Sequence, residues 1–166
     1  MSILETALTI AAGQHGSLAV RQLTREGATE GEIRHLVDAR QFLRVTPVVL
    51  RRTGTARSRG QELVEAVLDA GEGAALSHLP GTAWWRLPVR PGGIEVCRLR
   101  GAASVPPRLA RVHELRSFPA HHRTVYRGVP VTVPARLPFD VAAVAPSQAA
   151  KVLDRAWARG LVTSRL

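Results

Sequence analysis

Residues 17–52, SLAVRQLTREGATEGEIRHLVDARQFLRVTPVVLRR, decide the fold. After the turn at Gly16 and Ser17 a helix is predicted from about Ala19 to Glu26, with Val20 and Leu23 inward. Gly27 follows where a left-handed residue stops a helix. Thr29-Glu30-Gly31-Glu32 has the form of a capping box. Ile33, Leu36, Val37 and the stem of Arg40 share one face of the helix it opens. Helix, Gly-containing turn and helix is the helix-turn-helix arrangement. Residues 42–45 and 48–51 are β-branched and apolar runs around Thr46-Pro47, which predicts a hairpin. A hairpin in this position is what a winged helix-turn-helix has.

The same pattern extends toward the N-terminus. Ser2 and Glu5 form another capping box, Leu4, Ala7, Leu8 and Ala11 recur at helical spacing, and Gly13 closes the element. Beyond the hairpin, residues 53–60 (TGTARSRG) are small, polar and basic. The chain therefore divides into a winged helix-turn-helix domain over 1–54, a linker over 55–60 and a second domain over 61–166.

The second domain opens on a helix over 61–70, with Leu63, Val64, Val67 and Leu68 as its stripe. A short strand over 74–76 leads to Ser77, read as the N-cap of a helix that ends near Leu87 and buries Trp84 or Trp85. Strands are predicted at 94–99, 111–115, 123–126 and 129–132. Pro134 opens a helix in which Pro138 sits awkwardly. Residues 147–159 form an amphipathic helix with Ala149, Val152, Leu153, Ala156 and Trp157 on one side. Helices flanking an antiparallel sheet make the segment, and the chain, α+β.

The 166 residues carry a net charge of +10, from 23 basic and 13 acidic side chains. Such an excess attracts polyanions and points to nucleic acid or an acidic protein partner. Residues 1–60 hold 9 Arg against 5 acids, residues 61–85 hold 4 acids and no base, and residues 86–136 hold 10 Arg against 2 Glu. All but one of the basic residues are Arg, which suits phosphate through its planar fork; a composition that replaces Lys by Arg throughout accounts for the count equally well. No run is long and apolar enough to span a bilayer, and the first residues lack the features of a targeting signal, so a cytoplasmic location is expected.

Catalytic and metal signals are weak. Ser77-His78 suggests a nucleophile and base, but adjacent helical residues do not face each other and Ser77 is explained as a cap. His113, His121 and His122 stand without an HExxH, and the single cysteine, Cys97, excludes a multi-cysteine site and reads as a buried small hydrophobe. No phosphate-loop or dinucleotide fingerprint occurs, so no cofactor, metal or catalytic residue is expected.

The helix-turn-helix is the strongest functional signal, because it puts the third helix where it can enter a major groove. The face opposite its core stripe is Gly31, Arg34, His35 and Asp38. Residues 29–40 carry Arg34 and Arg40 against Glu30, Glu32 and Asp38, and phosphates repel that balance. Either Arg21, Arg25, Arg44, Arg51 and Arg52 supply the affinity, or the winged helix makes protein contacts instead. In the second domain Arg98, Arg100, Arg108 and Arg111 are the candidate partner-binding face.

Gln14-His15-Gly16, Gln22-Leu23, Gly27, Ile33 and Phe42-Leu43-Arg44-Val45 resemble the N-terminal winged helix of the AbiEi-type abortive-infection antitoxins, particularly the actinobacterial branch. Leu76-Ser77-His78 with Ala83-Trp84, and the GVPVTVPAR stretch over 128–136 with Asp140, are similar to two further elements of that branch. The resemblance spans nearly the whole chain. It implies a transcriptional regulator that binds duplex DNA at its own promoter, represses its own operon, and acts as antitoxin of a type IV toxin-antitoxin system against a nucleotidyltransferase-like toxin. Two rivals stay open: the non-catalytic DNA-targeting half of a restriction-endonuclease-like protein, and a protein-interaction adaptor.

Overall fold

The computed structural model describes residues 2–102 and 105–163. Helix α1 (Ile3–Ala12) opens on the expected capping box, in which Ser2 N–H donates to the Glu5 carboxylate and Glu5 N–H to Ser2 Oγ. Strand β1 (Ser17–Ala19) follows, where the sequence suggested a turn running into a helix. Three residues buried on every side carry no alternation, so the strand has no signature in the pattern. Helix α2 (Val20–Arg25) is halted by Gly27, whose φ of +88° only glycine takes without strain. Helix α3 (Glu30–Asp38) starts on the Thr29–Glu32 capping box and ends before Arg40. Arg40 is itself in a left-handed conformation at φ +55° and is exposed, so its stem leaves the predicted core face. Strands β2 (Phe42–Thr46) and β3 (Val49–Arg52) form the predicted hairpin, and β1 pairs with β3 to complete an antiparallel sheet of order β1-β3-β2. Leu18, Leu23, Ile33, Leu36, Phe42 and Leu50 close this core. The element order and sheet are compatible with a winged helix-turn-helix.

Ser58 caps helix α4 (Arg59–Asp69), so the last two residues of the 55–60 segment are already helical. Strand β4 (Ala75–Leu76), helix α5 (His78–Trp84), strands β5 (Glu95–Leu99), β6 (Arg111–Leu115), β7 (Arg123–Tyr126) and β8 (Val129–Thr132), and helices α6 (Leu137–Val144) and α7 (Pro146–Ala158) complete the α+β fold. The five-stranded sheet, β6-β5-β4-β8-β7, is mixed rather than antiparallel, because β4 runs parallel to β8 and β5 to β6. A parallel neighbour needs a connection too long for a hairpin turn, and β6 begins well beyond the end of β5. Helix α6 starts at Leu137, later than predicted, which brings Pro138 into the first turn where its missing N–H costs nothing. On α7 only Val152 and Ala156 are buried, while Leu153 and Trp157 of the predicted stripe are exposed. Trp84 and Trp85 are both half-buried, each donating its indole N–H to a carbonyl, Tyr126 O and Thr132 O.

The two halves meet on α4. Leu63, Val64, Val67 and Leu68 join Ala19 and Val49 of the N-terminal half to Leu76, Val96, Val129 and Val131 of the larger sheet in one core. A second seam forms at His15, whose Nε2 lies 2.7 Å from Arg127 O and whose carbonyl accepts from Gln61 Nε2. A methyl group at Gly60 would approach the His15 ring to 2.5 Å. The substitution Gly60→Ala is therefore expected to cost about 1–3 kcal/mol by overpacking a held ring, read as a drop in urea midpoint; an unchanged midpoint would mean that the ring moves aside freely.

Candidate nucleic-acid interface and a buried polar cluster

The residues expected to contact DNA separate into two sets. Gly31, Arg34, His35 and Asp38 lie exposed along α3, as predicted, and Arg44 and Arg52 of the hairpin are exposed as well. Arg40, just past α3, adds an exposed guanidinium that the predicted interface omitted, because its place in the helical period assigned it to the core. Arg34 Nη2 donates to Glu30 Oε1 at 2.9 Å, an exposed i,i+4 pair that water weakens. Glu32 is held ionised by the bonds it accepts from the Thr29 backbone N–H and hydroxyl, which lower its pKa. The start of α3 therefore presents two carboxylates, and its positive charge stands at Arg34, Arg40 and the hairpin.

Arg51 and Arg21 leave the expected interface because the fold already uses them. Arg51 Nε and Nη2 grip Glu65 Oε1 and Oε2 at 2.6 and 2.8 Å, and Ser17 Oγ donates to the same carboxylate. The Glu65 side chain is 3% exposed, and the bond to it raises the Arg51 pKa. Arg21 donates to Leu68 O and Gly71 O at the end of α4, and burial lowers its pKa. Arg25 pairs with Glu72 of the second half but stays exposed, in a surface pair that water weakens, so it remains in the expected interface. In the predicted partner face, Arg98 is 9% exposed and bonded to Glu114 and Ala70 O, so its charge is spent inside the sheet. Arg100, Arg108 and Arg111 remain exposed.

The larger sheet also assembles a cluster that the sequence did not reveal. Cys97 of β5 faces His113 of β6 in register, and the His78 ring at the start of α5 stacks on that of His113 with centroids 3.7 Å apart. His113 Nε2 lies 2.7 Å from Glu95 Oε2, Ser77 Oγ lies 2.8 Å from His78 Nδ1, and Cys97 Sγ lies 4.0 Å from the same nitrogen. From α6, Asp140 pairs through Oδ1 with Arg136 Nε at 3.0 Å. Ser77 and His78 do meet, contrary to the helical-spacing objection, because Ser77 is extended and His78 takes φ +52°. Ser77 stands at the N-cap position, but its hydroxyl turns to the imidazole rather than to the helix.

No family model and no curated protein matches the chain. The functional reading therefore rests on geometry and on the residues themselves. Among the described residues, no helix is long and apolar enough to cross a membrane.

Burial, with His113 and nearby arginines adding to it, pushes His78 down to about 4. Burial thus favours the neutral imidazole at His78 beside the Ser77 hydroxyl. Cys97 is fully buried, as predicted, and burial pushes its thiol up to about 11. Burial likewise raises Asp140 to about 6, opposed by Arg136. The two shifts act oppositely on stability. His78 binds its proton less readily when folded, so its contribution is lost as pH falls from about 6.5 toward 4; Asp140 binds its proton more readily, so stability is gained as pH falls from about 6 toward 4. In metal-free buffer the wild-type urea midpoint is expected to change little across that window, whereas Asp140→Asn, which removes the compensating group, loses stability on acidification. A variant with a flat profile would show that His78 is not held neutral.

Proposed function

We propose that the chain is a DNA-binding transcriptional regulator of antitoxin type, acting in the cytoplasm and repressing its own operon, with its second half opposing a nucleotidyltransferase-like toxin. The observation that carries the DNA reading is the exposed outer face of α3, behind a helix-turn-helix order and beside the exposed Arg40, Arg44 and Arg52. A helix presented in this way reads base edges, while flanking arginines fix its register on phosphates. The resemblance to AbiEi-type antitoxins supports the regulatory role, and the exposed Arg100, Arg108 and Arg111 are the cations offered to an acidic toxin surface. The paired carboxylates at the start of α3 favour one rival, an adaptor whose winged helix binds protein.

A gel shift on the duplex upstream of the chain's own coding sequence decides between them. Arg34→Ala is expected to cost about 1–3 kcal/mol and relax sequence preference, while Arg52→Ala weakens all sequences alike. Glu30→Gln is expected to strengthen binding, because it removes a carboxylate that faces phosphates. Absence of binding at low salt would leave the adaptor. Reversing Arg100, Arg108 and Arg111 to Glu is expected to abolish toxin neutralisation with DNA affinity intact, and unchanged neutralisation would contradict that face.

A further inference from the structure

We infer that His78, Cys97 and Asp140 form a binding site for one divalent transition metal ion of the zinc class, at the junction of β5, α5 and α6. One ligand atom from each of the three lies within 4.8 Å of the others, and all three residues are buried. A tetrahedral ion with nitrogen, sulfur and oxygen ligands at about 2.0–2.3 Å needs them somewhat closer, at about 3.3–3.8 Å. The 4.0 Å between Cys97 Sγ and His78 Nδ1 closes to that range when Nδ1 exchanges its bond to Ser77 Oγ for the ion.

A second observation is the imperfect pairing of the polar atoms there. Asp140 is 5% exposed, and among the described residues its Oδ2, Oγ1 of the fully buried Thr132 and Nε of Arg136 lie beside one another without a well-formed hydrogen bond. A buried carboxylate oxygen left without a partner is costly, and a cation relieves that cost. Arg136 relieves it only in part: its Nε lies 3.0 Å from Oδ1 without a well-formed hydrogen bond, and Oδ2 is left over.

The donor set suits the ion. Thiolate, imidazole and carboxylate together select zinc or cobalt over the hard cations, which prefer oxygen alone. Binding displaces the Cys97 thiol proton to solvent; the resulting thiolate and the Asp140 carboxylate offset the ion's two positive charges, and the Arg136 guanidinium beside Asp140 leaves the cluster one positive charge in excess. Three protein ligands leave one position, with the Ser77 and Thr132 hydroxyls at hand. Glu95, within 4.8 Å of ring nitrogens of both His78 and His113, supplies the outer carboxylate that commonly orients a ligating imidazole. Arg136 also lines an open cavity of about 470 Å³ with His121, His122 and Phe139.

The test is titration of the purified full chain with Co²⁺ in the absence of oxygen, followed by absorption. The expected result is one equivalent bound, with tetrahedral d–d bands and a thiolate-to-cobalt charge-transfer band, all displaced by Zn²⁺. Because Cys97 is the single cysteine, that band in the wild-type protein identifies the ligand without any variant. Cys97→Ser is expected to abolish the band, Asp140→Asn to weaken binding about tenfold or more, and His121→Ala to leave both unchanged. Absence of the charge-transfer band at hundredfold excess of Co²⁺ overturns the site, as does binding that Asp140→Asn leaves unaltered. The outcome does not depend on whether the chain binds DNA.

Discussion

Replacing Glu65 with Ala is expected to lower the stability of the folded chain by about 3–5 kcal/mol, the range for breaking a buried ion pair by removing one partner. Glu65 accepts two bonds from Arg51 and one from Ser17, so its loss strands a guanidinium and a buried hydroxyl at the seam between α4 and the three-stranded sheet. Arg57 Nη1, 3.9 Å from Glu65, is a second cation and offers the stranded Arg51 no partner. Urea unfolding of Glu65→Ala beside the double variant Glu65→Leu/Arg51→Met separates pair from penalty. The double variant is expected to recover much of the loss, since two apolar side chains leave no uncompensated charge. A single-variant loss below about 1 kcal/mol would mean that Arg51 reaches solvent unaided.

Phe42→Ala is expected to cost about 3–5 kcal/mol, as large-to-small changes at fully buried aromatic sites do. Phe42 is 0% exposed, in the core closed by Leu18, Leu23, Ile33, Leu36 and Leu50. The site lies in the N-terminal half, whereas all three tryptophans, Trp84, Trp85 and Trp157, lie in the second. Because Ala19 and Val49 share a core with α4 and the larger sheet, tryptophan fluorescence is expected to report the same lowered midpoint as circular dichroism. A fluorescence transition that stays at the wild-type position would show that the halves unfold separately.

The sequence announced those elements whose signals are local. Capping boxes at Ser2 and Thr29, the stop at Gly27 and the hairpin around Pro47 depend on residues a few positions apart, and each appears in the structure. The parallel pairing of β5 with β6 depends on which strands come together after folding, and strand composition does not encode that choice. Arginine roles were legible only in part. Arg51 sits between Leu50 and Arg52 with nothing local to show that Glu65, fourteen positions on, fills its fork, while Arg52 beside it points to solvent. Arg98 is hidden similarly by Glu114. The polar cluster was illegible for the same reason: His78, Glu95, Cys97, His113 and Asp140 come from four elements, and no pair of them has the spacing of a known ligand motif.

The salt dependence of binding to the duplex upstream of the chain's own coding sequence tests the central claim most directly. With Arg21 and Arg51 held inside the fold, the exposed cations of the expected interface are Arg25, Arg34, Arg40, Arg44 and Arg52. About four to five phosphate contacts give a slope of log K against log salt of about −4 to −5. That slope, reduced by about one in Arg52→Ala, is the predicted result; a flat dependence, or no binding at the lowest salt, would contradict a DNA-binding function for this chain.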